Sequence, residues 1–398
     1  MATILSSVTC PPEARSPSGA SPRPLPRVLY IAALDPSLKF GSLEEQTLLL
    51  AAAFRDAGSL LVPVFTNPPR GQTEREFLAL DLPWESCGFH DFRWETLRTL
   101  RDLVREHRID VVHWNFYPAL NPYWFALRVG SSGVSQIYTD HNSRPSGSGS
   151  SRTRPGLNAL KRRLMNQYEE VFCVSGFVRD AAVREGWPAG RCRVMPHFVN
   201  VERFRPNAEV REDMRREHAP GAEFVALTVA HLIPEKGVDV LIRAFQALPS
   251  AMHLWIVGDG VEASRLEQQV VSLALGERVR FFGNRSDVHR YMQGADCLVC
   301  PSIWGEAAGL VNIEGLASGL PVVASRVGGI PEIVDEGETG LLLPPGDEGA
   351  LADALRELAS CAERRQEFAG SARRAALQRF SPQARICEYL DRYRAAKQ

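Results

Sequence analysis

The stretch from Cys297 to Ala324 constrains the fold most tightly. Residues 297–300 are a short apolar run and residues 321–324 are another, while Leu310 to Ser318 between them reads as a helix. Gly319 is placed to end that helix as its C′ residue, and Pro321 prevents continuation. Strand, helix and strand in so few residues make a parallel βαβ unit.

Two carboxylates flank the start of this helix. Glu306 lies in the loop before it and Glu314 about one turn into it. Helical side chains tilt toward the N-terminus, so both carboxylates are expected near the helix mouth. The backbone N–H groups there, from Ala308, Gly309 and Leu310 to Val311, suit an anion. Carboxylates beside an anion site fit a ligand with both hydroxyls and phosphates, such as a nucleotide sugar. A solvated pair of surface glutamates is the plainer reading of Glu306 and Glu314.

The residues beyond this unit favour the ligand. Gly328-Gly-Ile-Pro331-Glu is expected to open a second helix, with Pro early in it, and Gly337-Glu-Thr-Gly340-Leu-Leu-Leu-Pro-Pro-Gly346-Asp347 comes next. The whole run resembles the retaining glycosyltransferases of family 4, whose motif is E-x7-E followed by P-V-V-A-x-x-x-G-G-I-P-E. The match is nearly continuous over residues 301–347 and weaker over 27–398. The resemblance implies a GT-B fold: α/β, two facing Rossmann-like domains with parallel sheets and a cleft between them. It implies transfer of a sugar from a nucleotide sugar to an acceptor hydroxyl with the anomeric configuration retained. By the same resemblance, Glu306 contacts donor sugar hydroxyls, Glu314 contacts the ribose, and the leaving phosphate takes the acceptor proton on the same face.

A chain of 398 residues with 44% apolar and 23% charged residues suits two or three soluble domains. A net charge of −1 gives no case for a nucleic-acid partner, and no apolar run approaches the ~18 residues of a membrane span. The chain reads as cytoplasmic. Eight cysteines are scattered; Cys297-x-x-Cys300 sits in an apolar strand with no second pair nearby, which fits core thiols better than a metal. The sequence contains no D-x-D, so no catalytic metal is expected, and no cofactor beyond the donor itself.

Residues 1–26, with six Pro and five Ser, read as a disordered extension. Residues 27–198 form the N-terminal, acceptor-side domain, 199–376 the nucleotide-sugar-binding domain, and 377–398 a C-terminal helix that the resemblance carries back to the first domain. Arg27 to Ala33 is the first strand, and Gly41 and Ser42 fill the two glycine places of the family's G-G-x-E-R-Q loop near the donor phosphates. His113 and His141 fall near strand ends; Asp140-His141 resembles the family's position near the donor sugar and acceptor. Residues 144, 152, 154, 161, 162 and 163 are basic, with no acidic residue among 142–163. That stretch reads as a solvated helix face or as a patch for an anionic acceptor or a membrane surface.

Pro196-His-Phe-Val-Asn200 stands where the family has P-N-G-V-D. Ala230-His231-Leu-Ile-Pro-Glu-Lys236-Gly237 stands where it has G-R-L-x-x-x-K-G, whose Arg and Lys hold the diphosphate. Lys236 is kept; His231 replaces a permanent bidentate donor with a titratable one. Gly258-Asp-Gly260-Val-Glu-Ala263 mimics a dinucleotide fingerprint, but the next strand ends in Phe282-Gly-Asn284 without the acidic residue such a site wants. In the resembled family, Gly258 and the strand end at Phe282 border the nucleotide. His231 leaves open a non-catalytic nucleotide-sugar-binding protein; the resemblance also leaves open another GT-B enzyme, such as a sugar-nucleotide epimerase.

Overall fold

The computed structural model describes residues 24–37, 40–89, 91–130, 133–144 and 155–397, the side chains of 155–159 excepted. The extension up to residue 23 and the basic residues Arg152 and Arg154 lie outside it. The described chain forms two compact units: 24–141, 155–198 and 382–397 in the first, 142–144 and 199–381 in the second. The chain changes unit after Phe198 and again after Ser381.

The first unit is built on seven parallel strands. They are β1 (Val28–Ala32), β2 (Leu61–Phe65), β3 (Glu85–Ser86), β4 (Val111–Asn115), β5 (Ser135–Asp140), β6 (Glu170–Cys173) and β7 (Cys192–Val194), in the order β3-β2-β1-β4-β5-β6-β7. The helices are α1 (Ser42–Asp56), α2 (Gly71–Ala79), α3 (Trp94–Glu106), α4 (Pro122–Gly130), α5 (Pro155–Met165) and α6 (Gly176–Arg184). Runs such as Val-Leu-Tyr-Ile-Ala in β1 are buried at every position, as a parallel sheet covered on both faces requires. Val28 and Phe172 from the sheet meet Leu48 and Phe54 of α1 in one core. The C-terminal helix, Pro382–Ala396, adds Ile386, Tyr389 and Tyr393 to that core.

The second unit has six parallel strands: β8 (Phe224–Val229), β9 (Met252–Val257), β10 (Val279–Phe281), β11 (Cys297–Cys300), β12 (Val322–Ser325) and β13 (Gly340–Leu343), in the order β10-β9-β8-β11-β12-β13. Its helices begin with α7 (Ala208–His218), α8 (Val238–Gln246), α9 (Ala263–Ser272), α10 (Val288–Gly294) and α11 (Leu310–Ala317). Side chains alternate across the sheet. Val225, Leu227, Trp255 and Leu298 feed one core; Phe224, Ala226, Leu254 and Val299 feed the other. Cys297 and Cys300 are free, buried thiols of β11.

One expected element differs. Gly328-Gly-Ile-Pro331-Glu opens only a single 3-10 turn, Ile330–Glu332, rather than a helix. A local turn captures the groups a helix would need: Thr339 Oγ1 accepts from the Asp335 N–H at 2.8 Å, and the Thr339 N–H donates to the Asp335 carbonyl at 2.9 Å. The chain then enters β13, a strand that the sequence does not distinguish from the loop around it.

Candidate active site

In the second sheet the winding reverses between β8 and β11, so the loops leaving these neighbours diverge at their carboxyl ends. Open α/β sheets bind ligands in such a crevice. The loop after β8 carries His231, Lys236 and Gly237; the loop after β11 carries Ser302, Glu306, Ala308 and Gly309.

Backbone contacts tie the loops together. Gly237 has φ +62°, and a Cβ there would lie 2.2 Å from the Pro301 carbonyl oxygen. The Ile303 N–H donates to the Glu235 carbonyl at 2.9 Å. A Cβ on Gly258 would lie 1.8 Å from the Ala230 oxygen, and the Leu232 N–H donates to the Asp259 carbonyl at 2.9 Å. Gly328, at φ +58°, lets the chain pass within reach of Glu306: a Cβ there would lie 2.1 Å from the Glu306 oxygen, which accepts from the Gly329 N–H at 2.8 Å. The glycine motifs of the sequence are therefore places where one backbone must touch another.

Glu306 is not a solvated surface residue. It is 8% exposed, and its Oε1 accepts from Lys236 Nζ at 2.5 Å and from Ser302 Oγ at 2.6 Å. Lys236 is itself half-buried. A buried ion pair is held in place because removing one partner strands the other charge. Next to it α11 begins at Gly309, in the left-handed region at φ +58°, and no side chain caps that end. The first N–H groups of α11 are thus open to an anion. Gly315 brings the helix onto β11: a Cβ there would lie 2.6 Å from Leu298 Cδ2. Glu314 is half-buried one turn into α11.

His231 is exposed on the loop after β8. Gly258 is at the turn after β9, as expected, but the Phe282 ring faces the core, 5.8 Å from Trp255 and 4.8 Å from Tyr291. The backbone after β10 borders the glycine turn, through the Gly258 N–H donating to the Gly283 carbonyl at 2.8 Å.

The first sheet reverses between β1 and β4. Gly41 precedes α1, and Glu44 Oε2 accepts from its N–H at 2.9 Å; Ser42, Glu44 and Gln46 in the first turns are all buried. His141 follows β5 and is stacked between two rings, Phe116 at 3.8 Å and His197 at 5.3 Å. Phe116 has φ +57°, an unusual conformation for a bulky residue and one that clusters at functional sites. His141 Nε2 donates to Asn115 Oδ1 at 3.3 Å, and His197 Nδ1 donates to Gln46 Oε1 at 3.0 Å. Burial holds both imidazoles neutral: His197 is lowered to about 4, and His141 is pushed well below the usual range by burial and by its histidine neighbours. His141 Nδ1 and Asn115 Nδ2 are buried with no partner among the described residues. His113 has a different task, hydrogen-bonded to Tyr393 Oη at 2.5 Å and Thr139 Oγ1 at 2.6 Å inside the core. Ser302, Asn115, Phe116 and Gln46 were not among the residues expected from the sequence. Three of these had a signal in the sequence: Ser302 lies four residues before Glu306 in the same loop, Gln46 fills the last place of the G-G-x-E-R-Q loop, and Asn115 ends the strand-end segment His113-Trp-Asn115.

Known proteins share this fold. The family description Glycosyl transferases group 1 matches residues 209–375, and Glycosyltransferase Family 4 matches residues 43–203. A GDP-mannose-dependent alpha-mannosyltransferase of Mycobacterium tuberculosis is 33% identical over 76% of this chain and 77% of its own length. The GDP-mannose-dependent alpha-(1-6)-phosphatidylinositol monomannoside mannosyltransferase of Mycolicibacterium smegmatis is 30% identical, over 61% of this chain and 68% of its own. In fold, the chain resembles Anabaena HepE, solved with UDP and glucose, with a TM-score of 0.75 at 22% identity, over 92% of this chain and 98% of that one. The chain belongs to the GT-B glycosyltransferases of family 4, and its chemistry is glycosyl transfer. Among the described residues, no helix is long and apolar enough to cross a membrane.

Proposed function

We propose that the chain moves a hexosyl group from a nucleotide sugar to an acceptor hydroxyl, with retention and without a metal or other cofactor. The observation that carries this reading is the Lys236–Glu306 pair at 2.5 Å, set beside the uncapped start of α11. Lys236 and the α11 N–H groups meet the charge of the leaving diphosphate, which is where donors aimed at developing charge count most. His231 adds a cation when protonated. Glu306 accepts from hydroxyls of the transferred sugar, and Glu314 accepts from the ribose. Gly41, Ser42 and Gly258 give the ligand close access to backbone. His141 offers a neutral imidazole to a hydroxyl. The bond from the anomeric carbon to the leaving phosphate breaks, the bond to the acceptor oxygen forms on the same face, and the phosphate oxygen takes the acceptor proton.

The two mannosyltransferase relatives are named for GDP-mannose, and HepE was solved with UDP, so these two donor families are the first to test. Release of GDP or UDP from a panel of nucleotide sugars, together with NMR of the product's anomeric coupling, decides the reading. Turnover with a retained anomer, unaffected by a strong chelator, is expected. An inverted product, or loss on chelation restored by magnesium, contradicts it. The exposed His231 favours one second reading, a binding-only protein, for which donor would bind without any release of nucleoside diphosphate.

A further inference from the structure

Three histidines gather in the first unit, and their hydrogen bonds sort them by task. Both ring nitrogens of His113 are paired, Nδ1 with Tyr393 Oη at 2.5 Å and Nε2 with Thr139 Oγ1 at 2.6 Å. Nothing is left over, as a core histidine requires. His141 differs. Its Nε2 meets Asn115 Oδ1 at 3.3 Å, while its Nδ1 and the Asn115 Nδ2 are buried with no partner among the described residues. Burying an unpaired polar atom is unfavourable, so two of them on one contacting pair fill a core poorly and suit a ligand well.

The direction of the bond sets the chemistry. Asn115 Oδ1 can only accept, so His141 Nε2 carries the proton, and the neutral imidazole then has a bare Nδ1. The open Nδ1 is an acceptor and the open Asn115 Nδ2 is a donor. A hydroxyl answers both. An ionised phosphate has no proton for Nδ1, and an ammonium has no lone pair for Nδ2.

The plane of the ring is set by other residues. Phe116 stacks on His141 with the planes 15° apart, and His197 stacks on it with the planes 17° apart. His197 is 5% exposed and itself anchored: its Nδ1 donates to Gln46 Oε1 at 3.0 Å, and the Phe198 N–H donates to the same oxygen at 3.4 Å. Gln46 belongs to α1 and His197 follows β7, so the ring is pinned by elements other than the two strands that carry Asn115 and His141.

We propose that Asn115 and His197 are positioning residues for His141: Asn115 fixes which nitrogen carries the proton, and His197 fixes the ring plane, so that Nδ1 stands open to one substrate hydroxyl. The proposal rests on the reading of His141 as a substrate contact.

The test reads the ring directly and then its effect. In the full chain labelled with nitrogen-15 histidine, NMR reports each ring's tautomer without ligand or turnover, and the His141 signals are those missing from His141→Ala. The parent should show His141 protonated at Nε2 and bare at Nδ1. Asn115→Ala should let the proton divide between the two nitrogens. His197→Ala should lower kcat about ten- to a hundred-fold, because a tilted ring loses its reach. Nucleoside diphosphate affinity should be unchanged in that variant, and His197→Phe, which restores a ring to the stack, should recover most of the loss. A parent protonated at Nδ1, an unchanged tautomer in Asn115→Ala, or full kcat in His197→Ala overturns the proposal. Should His197→Ala fail to fold, His197→Phe is compared with His197→Leu: the ring should keep more activity, and equal activity overturns it. A parent without turnover would end the donor reading, while the tautomer is read regardless, so the two failures are told apart.

Discussion

At the carboxyl ends of the second unit's strands, backbone meets backbone. Gly237, Gly258 and Gly328 each sit where a Cβ would strike a neighbouring loop's main chain. At the corresponding ends of the first unit, side chain meets side chain: Phe116, His141 and His197 form one stack, fixed by Asn115 and Gln46. The first arrangement leaves a strict pattern in the sequence, because glycine alone relieves those contacts. The second leaves little, because many side chains can fill a stack.

The largest effect that would sharpen this contrast comes from Lys236. Lys236→Ala removes the cation proposed to meet the diphosphate and strands the Glu306 carboxylate, which is 8% exposed. Loss of a preorganised electrostatic contact should lower kcat/KM about 10²–10³-fold. The unpaired carboxylate should also cost roughly 1–3 kcal/mol of stability. Steady-state kinetics and thermal melting check both; unchanged kinetics would mean that this backbone frame is scaffolding alone.

A smaller effect belongs to the first unit. Burial lowers His113 to about 3 and His197 to about 4, and lowers His141 strongly. These groups stay neutral in the fold, while in the unfolded chain they take up protons below about pH 6.5. The unfolded chain then binds more protons, so stability falls as pH drops from about 6.5 toward 4. Each histidine contributes up to about 1.4 kcal/mol per pH unit in that window. His197→Asn, which cannot titrate, should flatten the slope by about that amount in denaturant titrations across pH. An unchanged slope would show that His197 is charged or exposed in solution.

The smallest effect concerns His231, which lies exposed on the loop after β8. An Arg in its place offers a permanent bidentate donor, so His231→Arg should tighten nucleoside diphosphate binding by about 1 kcal/mol, roughly fivefold. Calorimetric titration reads this directly, and equal affinity would place His231 away from the phosphates.

Much of the second unit was legible from residues close in the chain. The βαβ unit at Cys297–Ala324, the end of α11 at Gly319 and the kept Lys236 are local signals. The pairing of Lys236 with Glu306 spans 70 residues and was not legible as a contact. Phe282 was placed by its strand end, yet its side chain packs with Trp255 and Tyr291, because sequence position locates a backbone and not a rotamer. The expected helix after Gly328 lost to the Asp335–Thr339 turn, a side-chain hydrogen bond that helical periodicity does not reveal. In the first unit, His197 in place of Asn read as a departure from the P-N-G-V-D pattern; only the fold brings it onto His141.

The most direct test of the central claim is calorimetric titration of the parent, Glu306→Gln and Glu314→Gln with the nucleoside diphosphate, paired with turnover of the intact donor. A carboxylate hydrogen bond to a ligand hydroxyl contributes about 1.5–3 kcal/mol, on the order of ten- to a hundred-fold. Glu306→Gln should depress transfer by that factor and leave diphosphate affinity nearly unchanged. Glu314→Gln should weaken the diphosphate and the donor alike, since both carry the ribose. Loss of diphosphate affinity in the 306 variant with full affinity in the 314 variant would reverse the assignment, and unchanged binding and turnover in both would contradict a donor site at the mouth of α11.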